Sequence, residues 1–147
     1  MKIYLDTCCY GRPYDDPAQV KIAVETAAIN GIIDTCRIAG YSIVGSMAVE
    51  FELGRIKDAE KRDEIIAYFK RTRNTYYTIT ANIETRAQVL HEEGLGRLDS
   101  YHLAFAEAAG VDVLLTTDEP FVRICARKNL SFVKVINPLN YLPEVIK

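Results

Sequence analysis

Residues 111–118 read Val111-Asp-Val-Leu-Leu-Thr-Thr-Asp118, a nearly continuous apolar run closed by two threonines and an aspartate. A strand covered on both faces needs such a run, because neither side offers water to a polar side chain. Upstream, residues 99–110 are alanine-rich and read as a helix whose small side chains suit close packing on a sheet. Downstream, residues 120–128 read as a helix and 131–136 as a further strand. Helix and strand in alternation point to an α/β domain with a mostly parallel sheet.

The same alternation extends to the N-terminus. Lys2–Leu5 reads as a first strand ending at Asp6. A loop rich in turn formers follows, with Gly11, Arg12, Pro13, Asp15 and Asp16. Asp16 is placed as an N-cap, with Pro17 at the first helical position and Gln19 three residues after the cap. Val20, Val24 and Ala27 then recur at helical spacing, and the helix extends to about Ala39, with Gly31 leaving open a division into two. Gly40 ends it, 41–44 forms a short strand, and Ser46 caps a helix over 47–56. A charged helix over 58–71, a strand over 76–79, and a helix opened by Thr80 and closed by Gly94 complete the chain.

At 147 residues the chain fits one domain, residues 1–147, with 49% hydrophobic and 26% charged residues, ordinary values for a globular protein. No stretch reaches the roughly 18 apolar residues of a membrane span. The opening MKIYLDTCCY is not a secretory signal, since Asp6 interrupts its apolar run, so the cytoplasm is the expected location. Cys8, Cys9, Cys36 and Cys125 form no CxxC pair and no zinc-type spacing with His91 or His102, which points to free thiols. A net charge of −2 and a pI near 5.7 argue against nucleic-acid binding by bulk positive charge. They leave room for an acidic site neutralised by divalent cations and rimmed by basic side chains.

Three acids share one topological address. Asp6 ends the first strand, Asp118 follows the 111–115 strand, and Asp99 opens a helix. In an open parallel sheet these positions lie along one edge, where ligands bind. Glu50 joins them on a different ground: it shares a helical stripe with Met47 and Leu53, so its carboxylate is expected to face inward. Glu52 has Arg55 three residues on and reads as a solvated ion pair. Taken singly, Asp99 and Asp118 are also plain helix N-caps, and Asp6 a turn residue. Oxygen ligands gathered in this way suit Mg²⁺ or Mn²⁺.

The motifs Ile-Tyr-Leu-Asp6-Thr7, Ser46-Met-Ala-Val-Glu50, Leu98-Asp99-Ser-Tyr-His102 and Leu114-Leu-Thr116-Thr-Asp118 stand in order along almost the whole chain. This set resembles the PIN-domain ribonucleases, in particular the small toxins of VapBC toxin–antitoxin pairs. The resemblance implies a three-layer α/β/α fold with about five strands ordered 3-2-1-4-5. It implies Asp6, Glu50, Asp99 and Asp118 as a catalytic site holding Mg²⁺ or Mn²⁺, and hydrolysis of RNA by a metal-activated water. A small antitoxin protein is the implied partner and a homodimer the implied assembly, with Tyr68, Phe69, Tyr76 and Tyr77 candidates for its surface or for the core. Thr7, His102, Thr116 and Glu119 are accessory candidates. The sequence departs from the family pattern at Cys8, where Asn or Ser is frequent. It also has Glu119 followed by Pro120, where an acid recurs one or two places after the last aspartate.

Arg12, Arg97 and Arg123 lie near the site loops and are candidate phosphate contacts, while Arg62, Lys70, Arg71 and Arg73 suit a solvated helix or a partner surface. A haloacid-dehalogenase-type phosphatase would need an acid at the Cys8 position, and no glycine-rich phosphate loop is present. The rival from another class is a catalytically silent domain that binds RNA or protein.

Overall fold

In a computed structural model, which describes residues 1–145, the expected alternation folds into a five-stranded, all-parallel sheet. The strands are β1 (Lys2–Leu5), β2 (Ser42–Ser46), β3 (Thr75–Tyr77), β4 (Val113–Leu115) and β5 (Lys134–Ile136). Their order is β3-β2-β1-β4-β5, as the resemblance implied. Ile3 pairs with Ile43 on one side and Val113 on the other, so β1 is central. Successive strand residues point to opposite faces. Ile3, Tyr4 and Leu5 are nevertheless all buried, so helices cover both faces in a three-layer arrangement.

Among the described residues, seven helices lie between the strands and an eighth follows the last: α1 (Thr7–Gly11), α2 (Val20–Ala39), α3 (Met47–Leu53), α4 (Ala59–Thr72), α5 (Ala81–Glu92), α6 (Arg97–Ala108), α7 (Glu119–Lys128) and α8 (Pro138–Val145). The loop expected after β1 is instead helical. Asp6 caps α1 by accepting the Thr7 N–H, and a 3-10 turn over Arg12–Tyr14 follows. Asp16 makes a turn to the Ala18 N–H, and α2 starts only at Val20, capped by Gln19.

Gly31 does not divide α2. A Cβ there would lie 3.0 Å from Leu142 Cδ1, so the glycine is a notch that lets α8 pack on α2. Gly45, beneath the end of β2, has a similar role, because its Cβ would meet Arg73 Cδ at 2.8 Å. Arg73 lies over Phe69 and Tyr76, 4.7 and 4.3 Å from their ring centroids, rather than along a solvated helix face. Phe69 is fully buried and Tyr68 half-buried against Tyr10, so this pair belongs to the core and not to a dimer surface. Tyr76 and Tyr77 are half-buried.

The four cysteines are free thiols, with Cys9, Cys36 and Cys125 buried and Cys8 half-buried. Among the described residues, no helix is long and apolar enough to cross a membrane.

Candidate active site

Asp6 leaves the C-terminal end of β1 on the same sheet face as Tyr4, two residues earlier. Tyr4 is fully buried, and its hydroxyl lies 2.6 Å from Ser46 Oγ and 2.7 Å from His102 Nδ1. That contact fixes the imidazole of α6 from below. Its other nitrogen, Nε2, lies 3.2 Å from Asp6 Oδ1 and makes a short hydrogen bond with Glu52. The Thr7 hydroxyl also donates to Glu52, at 2.9 Å. Asp6, Glu52 and His102 present ligand atoms that all lie within 4.8 Å of one another.

The loop after β4 completes the arrangement. Thr116 donates its hydroxyl to Asp6 Oδ2 at 2.7 Å and accepts the Asp118 N–H at 3.1 Å, tying the two strand ends together. Asp118 caps α7 through Phe121 N–H, so its N-cap and site-edge readings are both realised. Cys8 accepts the Thr117 N–H, and its thiol lies 3.6 Å from Asp6 Oδ2. Asp99 does not open its helix but sits in the first turn, since α6 begins at Arg97 with Gly96 as cap.

Charge confirms the crowding. Burial, then the negative charges of Asp6 and Asp118, push the Asp99 carboxyl up to about 7. Burial opposes a charge on His102, but Asp6 and then Glu52 outweigh it and push the imidazole up to about 9. Burial likewise works against the Glu52 carboxylate, yet the hydrogen bond and charge of His102 and the Thr7 hydroxyl hold it below the usual range.

Glu50 requires a correction. Its side chain is exposed and accepts a hydrogen bond from Tyr76 at 3.1 Å, away from the Asp6 cluster. The inward reading took Met47 as part of the buried stripe, but Met47 is 43% exposed. The residues that α3 buries are Ala48, Val49 and Leu53. At about 100° per residue, Glu52 falls on the flank between Ala48 and Val49, and Glu50 lies on the other flank. A stripe drawn through Ala48, Val49 and Leu53 finds Glu52. The ion pair expected between Glu52 and Arg55 gives way to His102 and Thr7.

Of the accessory candidates, Thr7, His102 and Thr116 contact the cluster directly, while Glu119 is exposed at the start of α7. Arg12 is not available to a phosphate, because its Nε lies 2.8 Å from buried Glu25 and its Nη1 2.9 Å from Asp15. Arg97 and Arg123 are exposed.

The donor set fits a divalent cation, with Asp6, Glu52 and His102 converging from three parts of the fold and the Asp99 proton held by burial and by the negative charge of Asp6 and Asp118. A family model described as PIN domain matches residues 3–127. The chain belongs to the PIN-domain family. Comparison of this PIN domain with curated proteins gives no match. Two similar solved structures share its fold. One is VapBC2 from Rickettsia felis bound to a DNA fragment from their promoter, at 18% identity and TM-score 0.54, covering 93% of this chain and 98% of that one. The other is FitAcB from Neisseria gonorrhoeae, at 14% identity and TM-score 0.55, covering 92% and 97%.

Proposed function

We propose that this PIN domain is a divalent-metal-dependent ribonuclease and acts in the cytoplasm as the toxin of a toxin–antitoxin pair. The observation that carries the reading is the convergence of Asp6, Glu52 and His102 at one sheet edge, with Asp99 driven towards neutrality by burial and by the charges of Asp6 and Asp118. Family membership supports nuclease chemistry, and one similar structure is a VapBC complex, the kind of pair that the motifs resemble. A small antitoxin covering the site and assembly as a homodimer belong to the same reading.

Asp6, Glu52, Asp99 and Asp118 would hold Mg²⁺ or Mn²⁺, with His102 beside them. Such a cation supplies Lewis-acid chemistry, neutralising phosphate charge and acidifying a water. The residues of this chain do the rest. Thr116 fixes Asp6 against the β4 loop, and His102, anchored by Tyr4, holds Glu52 and Asp6 together. Asp99, raised to about 7 by burial and by Asp6 and Asp118 in the metal-free protein, would exchange its proton for the cation.

The test is incubation of purified protein with labelled RNA, with Mg²⁺, with Mn²⁺ and with chelator. Cleavage should require the metal and fall by about 10³-fold in Asp6→Asn, a loss on the scale of removing one electrostatic group from a preorganised site. Absence of cleavage by folded, partner-free protein with either metal would overturn the nuclease in favour of a binding module.

A further inference from the structure

An open groove of about 590 Å³ runs beside the carboxylate edge, between α3 and the start of α6, lined by Phe51, Glu52, Arg55, Arg97, Leu98 and Asp99. Two of these are site carboxylates, so a chain whose phosphate lies at the cluster continues into this groove. Phe51 leaves 57% of its surface in water, a costly position for a large apolar ring. Its neighbour is the Arg55 guanidinium, 5.6 Å from the ring centroid. Arg97 is exposed and makes no ion pair among the described residues, in contrast to Arg12 and Arg86, which are committed to Glu25 and Glu107. Gly96 caps α6 without a side chain, so the first-turn amides have no side-chain acceptor.

A chain of net charge −2 with a carboxylate cluster repels a polyanion unless cations line the approach. Arg55 and Arg97 are the cations that line this one. An aromatic face flanked by guanidinium groups is the chemistry that holds an unpaired nucleotide, with the base stacked and the phosphates paired. Past Phe51 the surface becomes an apolar recess lined by Met47, Ala48, Ile79 and Tyr101, and Arg97 lines both the recess and the groove.

We propose that the groove is a nucleotide subsite, in which Phe51 stacks a base of single-stranded RNA while Arg55 and Arg97 hold its flanking phosphates. The subsite rests on the ribonuclease reading and adds to it the side chains that seat a nucleotide beside the cluster. A base inside a duplex has both faces covered, so only an unpaired base reaches Phe51.

Binding of a fluorescent single-stranded oligoribonucleotide carrying 2-aminopurine tests the subsite, with Asp6→Asn as parent so that the RNA stays intact in Mg²⁺. Adding Phe51→Ala should weaken binding about tenfold and abolish 2-aminopurine quenching, and Phe51→Trp should restore both. Arg97→Ala should lower the salt dependence by about one counterion. These exposed side chains are replaceable without loss of fold, which circular dichroism checks. RNA bound by the parent with unchanged affinity in Phe51→Ala and Arg97→Ala would overturn the subsite and leave Phe51 to a protein partner of the apolar recess. Failure of the parent to bind any RNA would overturn the ribonuclease reading together with the subsite.

Discussion

Two regions of this protein bury carboxylates, and they treat them differently. Glu25 in α2 is wholly inaccessible, yet each oxygen is answered: Oε1 by Arg12 at 2.8 Å and Oε2 by Asn137 at 3.0 Å. At the sheet edge, Asp6, Glu52, Asp99 and Asp118 share one imidazole and a few hydroxyls, and Asp99 is left to hold its proton. The first region is electrostatically closed. The second gathers more negative charge than the His102 imidazolium offsets, which under the proposed reading is where a metal ion would be held.

The largest effect is expected where the closed region is opened. Arg12→Ala leaves Glu25 charged in the core with Asn137 alone, and should cost about 3–5 kcal/mol in urea unfolding. Replacing Arg12 and Glu25 together by apolar residues of similar size should recover most of it. If Arg12→Ala costs less than about 1 kcal/mol, the contrast between the regions fails.

The next test sharpens the open region. Glu52→Gln should lower metal-dependent cleavage about 100-fold, some 2.7 kcal/mol of transition-state stabilisation, and weaken metal binding by calorimetry. Glu50→Gln should leave both within about twofold, as befits an exposed carboxylate. The reverse ranking would restore Glu50 to the site.

The smallest effect is the pH dependence of the metal-free protein. A carboxyl raised from 3.8 to about 7 on folding contributes stability that is full below about pH 4 and is lost as pH rises through 7. Asp99→Asn removes that loss. Its Tm should pull ahead of the wild type by a few degrees between about pH 5 and pH 6.5, roughly 1 kcal/mol, and the gap should close when Mg²⁺ is added. His102, raised to about 9 in part by Asp99, loses its contribution as pH rises from about 6.5 through 9, so the comparison is read below about pH 6.5, where the imidazole is charged in both states.

The parallel sheet was legible because its strands carry their own evidence: Ile3–Leu5 and Val113–Leu115 are apolar throughout, as doubly covered strands require. Asp6 and Asp118 were legible for the same reason, since they sit where those runs stop. What lay hidden depends on neighbours distant in sequence. Gly31 looks like a helix breaker until Leu142 is seen against it, and α8 itself, with Pro143 inside, carries no strong helical pattern. Glu52 has an acceptable local partner in Arg55, and only the arrival of His102, fifty residues on, shows which way it points. Arg12 is identified as structural only by Glu25 and Asp15.

Two small contacts set the denticity of the edge. Thr116 occupies Oδ2 of Asp6, and the Phe121 amide occupies Oδ1 of Asp118. Asp6 Oδ1 accepts the Thr7 amide at 2.8 Å as well, so neither carboxylate has both oxygens free, which favours monodentate ligation. Calcium, whose larger radius and seven- or eightfold shells draw on bidentate carboxylates, is poorly served by such a site, whereas a small six-coordinate ion is well matched. In the proposed nuclease, the same two hydrogen bonds that hold the loop after β4 in place would act as a gauge of ionic size.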